Sequence, residues 1–279
     1  MLIELAIGDA YGAGFEYAPA PLVAEQNNLL GYLQHPRHAI RPGCYTDDTQ
    51  MSLAIAEVIV ADEPWTPEHL AHKFVQVFQR DPREGYAQGF YHFLHSVKSG
   101  EEFLQRIQPV SDKSGAAMRA APIGVFKTIE EVCEKSRLQA ALTHHTESGL
   151  NSAAAASLMT HYFLYRLGPQ AQLGTFLEQH VAGPWSTPWH GRVGSAGWMS
   201  VQAAVTALTA SRKMSELLKR CIAFTGDVDT VATIALAAGA CSAEMEQDLP
   251  QHLIAGLENG NFGYDYLKQL DVQLLARVA

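Results

Sequence analysis

Apolar side chains recur at helical spacing along most of the chain, and the polar positions between them carry recognisable start and stop signals. Residues 2 to 14 open the pattern, with Gly8 and Gly12 four apart and so on one helix face, where a missing Cβ lets another backbone come close. The segment from about Thr49 to Ala61 is apolar nearly all round, with Glu57 its only interior charge, which predicts a central helix. Thr66-Pro67-Glu68 is a capped start, Leu70, Phe74, Val77 and Phe78 form the stripe of that helix, and Asp81-Pro82 stops it. A further helix over Ala87 to Val97 faces Phe90, Phe93, Leu94 and Val97 inward. Thr128 with Glu131 makes a capping box for a helix to about Leu142, and a long Ala-rich helix follows, ending by Gly168-Pro169. Helices are expected at Met199 to Leu208, Met214 to Ile222 and Asp229 to Gly239, the last with glycine as its C-cap, and a final one begins near Tyr264. No alternating run of five or more residues reads as a strand, so the expectation is all-α, a single domain over residues 1–279 without repeat or linker.

The irregular stretches lie between these helices. Residues 19 to 43 are punctuated by Pro19, Pro21, Gly31, Pro36 and Pro42. Arg83-Glu84-Gly85-Tyr86 reads as a surface turn, with Tyr86 and Arg83 able to serve a ligand. Ser111 to Gly124 is rich in small side chains, which suits either close approach of an anion to backbone N–H groups or tight helix packing. Residues 183 to 198 hold three of the four tryptophans and are read as a stacking platform rather than a lid over the core.

Two helix starts carry more acid than a cap requires. Tyr45-Thr46-Asp47-Asp48-Thr49 opens onto the apolar run at Met51, and Thr225-Gly226-Asp227-Val228-Asp229-Thr230 opens onto another at Val231. One such stretch is ordinarily a cap, since Thr and Asp suit N-termini and the macrodipole. Two can face each other. Thr46, Asp47, Asp48, Asp227, Asp229 and Thr230 then offer carboxylates and hydroxyls without thiolate or imidazole, a donor set for Mg²⁺ or Mn²⁺ rather than zinc. The helix ends oppose a cation with only about half a charge each. Four carboxylates over-neutralise one divalent ion and balance two, so a binuclear centre is expected. Thr49 is assigned a capping role and not a ligand role.

Composition narrows the rest. A net charge of −9 with no basic run argues against nucleic acid as partner. Cys44, Cys133, Cys221 and Cys241 form no CxxC pair, the first residues lack a basic n-region, and no apolar run reaches the ~18 residues of a membrane span, so a cytoplasmic monomer with reduced thiols is expected.

Taken together these stretches resemble the ADP-ribosylglycohydrolase family, which includes the dinitrogenase reductase-activating glycohydrolases and the ADP-ribosyl-acceptor hydrolases. The resemblance covers nearly the whole chain and rests on Gly8-Asp9-Ala10-Tyr11-Gly12 with Glu16, Tyr45 to Thr49, Gly115-Ala116-Ala117-Met118-Arg119 with Ala121-Pro122-Ile123-Gly124, Thr143-His144, and Gly226 to Thr230. It implies an all-α orthogonal bundle with a binuclear Mg²⁺ or Mn²⁺ centre, the two Thr/Asp clusters as ligands and Asp229 shared between the ions. It further implies ADP-ribose pyrophosphate against Ser114, Gly115, Ala116, Ala117 and Met118, His144 near the ribose, Tyr86 in the substrate site, and Glu16, Asp47 and Asp229 in catalysis. The chain departs from the family pattern at Thr225, Val228, Ser114 and Thr146, which touches acceptor preference. The implied activity is release of ADP-ribose from a modified acceptor, arginine on a protein first, with O-linked serine or small ADP-ribose derivatives as the alternative. A third reading is a catalytically idle binder similar to a jellyfish lens crystallin.

Overall fold

A computed structural model describes residues 1–278 of the protein, and among them fifteen α-helices and two 3₁₀ turns account for the regular structure. The fold is all-α: β pairing among the described residues is confined to four isolated bridges. The helix at the centre is α13 (Val228–Gly239), every residue of which is buried. It packs against α1 (Leu2–Ala13), α3 (Asp47–Val60), α9 (Glu147–Leu164), α11 (Gly197–Thr209) and α12 (Met214–Ala223).

The glycines of α1 do what their spacing predicts. A Cβ on Gly8 would lie 2.7 Å from Ala232 O, and one on Gly12 would collide with Asp229 Cα, so the two helices meet backbone to backbone. Glu57, the one interior charge of α3, is paired with Arg80 and Lys73 of α4 (Pro67–Arg80) and accepts a hydrogen bond from the Tyr266 hydroxyl at 2.7 Å.

Several expectations need correction. The 19–43 stretch contains α2 (Ala20–Gln26), and α6 (Gly100–Arg106), α10 (Leu173–His180) and α14 (Gln251–Gly256) are further helices too short for a periodic pattern to stand out. For α6 a signal existed: Ser99 Oγ accepts from Glu102 N at 3.1 Å and Glu102 reaches back to Lys98 N, a displaced capping box. Gly239 is the last residue of α13 rather than its C-cap, and a Cβ there would press on Leu217 Cδ2 at 2.8 Å, so the glycine serves the contact with α12. Thr46, not Thr49, caps α3, by accepting from Asp48 N at 3.3 Å.

The tryptophan-rich loop is not a stacking platform. Trp185 is only 1% exposed and donates Nε1 to Val181 O, while Trp189 and Trp198 pack edge to face, 5.7 Å apart. Aromatic burial of this kind contributes more to stability as core than as an exposed face. The loop is a brace: Ser195 O accepts from Ser114 N at 3.0 Å, Gly197 N donates to Asp112 O at 3.0 Å, and Val193 N donates to Thr225 O at 2.9 Å. It thereby ties the small-residue stretch to the start of α13.

Candidate active site and metal centre

Asp9 organises the first acidic helix start. From α1 it accepts four hydrogen bonds from α3: Thr46 N at 3.0 Å, Thr46 Oγ1 at 2.8 Å, Thr49 N at 2.9 Å and Thr49 Oγ1 at 2.6 Å. Burial pushes its carboxyl up, and these donors pull against that. With the capping groups occupied by Asp9, the side chains of Asp47 and Asp48 are free to line a cavity of about 1160 Å³. Gly85, also on the cavity wall, packs against Asp47 at φ +112°, where a Cβ would strike Asp47 Oδ1 and lie 2.8 Å from Thr46 Cβ.

The second start is held by a left-handed turn, Thr225 at φ 63° and Gly226 at φ +93°. Val193 O accepts from Asp227 N at 3.2 Å, and Gly226 O accepts from Tyr17 N at 2.8 Å. The Tyr17 bond is what brings Glu16, in the turn after α1, beside the second cluster. Carboxylate oxygens of Glu16, Asp227 and Asp229 all lie within 4.8 Å of one another. Sequence spacing on a continuous helix would have put Glu16 two turns above Asp9; the helix ends at Ala13 and the turn redirects it.

The electrostatics of this cluster call for cations. Burial, then neighbouring carboxylates, push Asp47, Asp48 and Asp229 well above the usual carboxylate range, and burial with the Glu16 charge pushes Asp227 up to about 7. Glu16 differs: burial raises it, but His35 Nε2 at 2.7 Å and Arg37 at 2.7 Å outweigh burial and hold it below its ordinary value. These are the cluster's ion-pair partners among the described residues, and both serve Glu16. Asp48 Oδ2, Asp227 Oδ2 and Asp229 Oδ1 are buried without a hydrogen-bond donor. Buried carboxylate oxygens ordinarily have partners, and hard divalent cations fit this donor set.

The remaining cavity walls come from elsewhere in the chain. Ser114, Gly115 and Met118 line it, whereas Ala116 and Ala117 are buried behind them, and Thr46 lies beneath Gly85 rather than on the wall. In the short helix α7 (Gly115–Met118), Ala117 N and Met118 N bond to Ser114 O, which leaves the amides of Gly115 and Ala116 at the helix start. His144 and Thr230 are on the wall. So is Tyr86, which is buried rather than on a surface turn and donates its hydroxyl to Gln50 Oε1 at 2.6 Å. Arg83 is not on the wall: it stacks on the Tyr45 ring at 4.0 Å and pairs with Asp81. Sequence reading did not single out Arg37, Arg106, Lys113 and Arg119 as the cations of this cavity, nor Asp9, Gly85 and His35 as supports. Motif residues such as Asp9 and Arg119 showed their place only in the Gly-Asp-Ala-Tyr-Gly and Gly-Ala-Ala-Met-Arg runs; the others carried no local signal.

A helical protein whose central helices present a buried acidic cluster to a large cation-edged cavity is, in class, a candidate metal-dependent enzyme of small charged substrates. The family profile described as ADP-ribosylglycohydrolase matches residues 1–279, and the chain belongs to that family. It is 29% identical over 188 residues to the ADP-ribosylhydrolase ARH3 of Xenopus tropicalis, covering 64% of this chain and 52% of that protein. It is 28% identical over 185 residues to the Homo sapiens ARH3, covering 58% of this chain and 51% of that one. An ADP-ribosylarginine hydrolase, Tri1 of Serratia proteamaculans, is 23% identical over 172 residues, 58% of this chain and 46% of that protein. The chain spans about half the length of the curated relatives it matches. A solved ADP-ribosylglycohydrolase-related protein complex superposes with a TM-score of 0.76 at 20% identity, covering 100% of this chain and 96% of that one, which establishes the shared fold.

Proposed function

We propose that this chain, as a single domain, hydrolyses the glycosidic bond between ADP-ribose and a modified acceptor, arginine on a protein first. The observation that carries the reading is the meeting of Glu16, Asp227 and Asp229 within 4.8 Å, with orphaned Asp oxygens beside them, at one end of a cavity whose walls also hold Arg106 and Lys113. Family membership supplies the substrate class, and the name of the Serratia relative supports the arginine linkage.

Asp47, Asp48, Asp227, Asp229 and Thr230 on the wall, with Thr46 just off it at the start of α3, would hold two Mg²⁺ or Mn²⁺ ions. Such ions supply Lewis-acid polarisation of substrate oxygens when bound. Glu16 is kept ionised by His35 and Arg37, each of which takes a different oxygen, so a lone pair remains on Oε1 and Oε2 to accept the proton of the attacking water. The surrounding carboxylates favour the positive charge that grows at the anomeric carbon as the bond to the acceptor lengthens. Lys113 and Arg106 would offset pyrophosphate charge, and the Gly115 amide, left without a partner at the start of α7, would donate to the same group. The protein is expected to act without a nucleic-acid or membrane partner. No helix among the described residues is long and apolar enough to cross a membrane.

Incubation with ADP-ribosylated arginine and serine peptides, each with Mg²⁺, Mn²⁺ or chelator, tests this. Metal-dependent release of ADP-ribose from the arginine peptide is expected. Release from the serine peptide alone would move the acceptor to an O-linkage, and binding of ADP-ribose without release from either peptide would make the chain an idle binder.

A further inference from the structure

Arg119 is fully buried, and none of its hydrogen bonds goes to a carboxylate. Its guanidinium lies 4.5 Å from the centroid of the Phe74 ring and donates to Gln139 Oε1 at 2.6 Å, to Gln139 O at 3.1 Å and to Thr143 Oγ1 at 2.9 Å. Thr143 Oγ1 in turn lies 2.6 Å from His144 Nδ1. A guanidinium only donates, so its bond to Thr143 uses an oxygen lone pair and leaves the hydroxyl proton to be placed. Among the described residues the sole acceptor in reach of that proton is His144 Nδ1, and Thr143 is buried. The opposite polarity, Nδ1–H donating to Oγ1, would strand a buried hydroxyl proton beside a positive charge. The chain of bonds therefore runs from Arg119 to Thr143 to His144, and a neutral imidazole that accepts at Nδ1 carries its proton on Nε2.

The other edge of the ring faces the cavity. A Cβ on Gly115 would stand 3.0 Å from His144 Cε1 and 3.3 Å from Nε2, so this edge rides directly over the glycine, and Nε2 makes no hydrogen bond to another described residue. Burial, then the charges of Arg119 and Lys113, push the His144 pKa down to about 3, which keeps the ring neutral at working pH.

We infer that Arg119 and Thr143 are positioning residues that lock His144 as its Nε2–H tautomer, so that it presents a donor and never an acceptor to a ligand oxygen held over Gly115. This rests on the cavity being an ADP-ribosyl site. The lock selects a phosphate, hydroxyl or ring oxygen at that point and disfavours a group that can only donate. It also gives a task to a guanidinium that lines the cavity yet is buried without a countercharge: it holds Thr143 in the polarity that fixes His144.

Long-range ¹H–¹⁵N correlation spectra of the ¹⁵N-labelled protein test the lock without any variant beyond His144→Gln for assignment. A pyridine-type Nδ1 and a pyrrole-type Nε2 on His144 are expected, and the reverse pattern would overturn the inference. Thr143→Val should give mixed tautomers and roughly tenfold weaker calorimetric binding of ADP-ribose, with Thr143→Ser restoring both. Full affinity with an unchanged tautomer in a folded Thr143→Val protein would also overturn it. Wild-type protein that shows the Nε2–H pattern yet does not bind ADP-ribose would leave the lock standing and sink the functional reading.

Discussion

His144 carries a stability consequence that can be measured apart from any activity. Its folded pKa, about 3, lies below the ordinary histidine value of 6.5. Between those two values the unfolded chain binds a proton that the folded chain refuses, so stability rises with pH across that window and is lost as pH falls below about 6.5. The expected slope is about 1.4 kcal/mol per pH unit from this one group. Urea unfolding at a series of pH values should show wild-type protein losing about 2.5 kcal/mol more than His144→Gln on acidification from pH 6 to pH 4; equal slopes would place His144 in solvent contact instead. Gly85 gives a second residue-scale prediction. At φ +112° and with Asp47 against it, Gly85→Ala should displace that carboxylate and lower metal-dependent turnover on the order of a hundredfold. Residue identity made Asp47, Asp48, Asp227 and Asp229 visible in the sequence because acid beyond the needs of a cap is unusual. Gly85, His35 and Arg37 were not visible as supports, because what gives each its place is a neighbour distant in sequence or a turn with no periodicity of its own.

At the scale of elements, the approach of α1 to α13 sets the site. Gly12→Ala should cost about 1–3 kcal/mol by overpacking and, because the clash is with Asp229 itself, should weaken metal binding as well. Calorimetric titration with Mn²⁺ alongside thermal unfolding separates the two effects; loss of stability with unchanged metal affinity would show that α13 yields away from its N-terminus. The turn before α13 holds strain of its own. Thr225 is β-branched at φ 63°, which costs on the order of 1–3 kcal/mol. Thr225→Gly should relieve it, net of the glycine's entropy, and raise Tm by roughly 2–4 °C. The long helices were legible because their period and caps agree: Thr66, Thr128 and Thr146 each accept a backbone N–H where a polar residue precedes an apolar stripe. Helices of seven or eight residues such as α2, α6 and α10 offer two turns at most, too few for a periodic signal to stand above chance. The tryptophan loop was misread for a different reason. Aromatic composition does not say which way a loop faces, and only the bonds from Val193, Ser195 and Gly197 reveal it as the brace between two cavity-lining stretches.

At the scale of the molecule, the fold uses its most buried helices to bring like charges together. Asp9, Asp47, Asp48, Asp227 and Asp229 are all buried, an arrangement that opposes folding unless cations balance it. Saturating Mg²⁺ should therefore raise the unfolding free energy, by about 2.7 kcal/mol for each of the two sites at a hundred times its dissociation constant, and Asp229→Ala should remove that response. The convergence of two acidic starts far apart in sequence was inferable from their shared composition, while the distances between them had to come from the packing of α1, α3 and α13. Anomalous scattering from crystals grown with Mn²⁺ shows whether these two starts are halves of one divalent-cation centre. Two peaks are expected between the N-termini of α3 and α13, in contact with Asp47, Asp48, Asp227 and Asp229, and both should vanish in Asp229→Ala. Crystals with manganese elsewhere and no peak at these carboxylates would contradict that expectation.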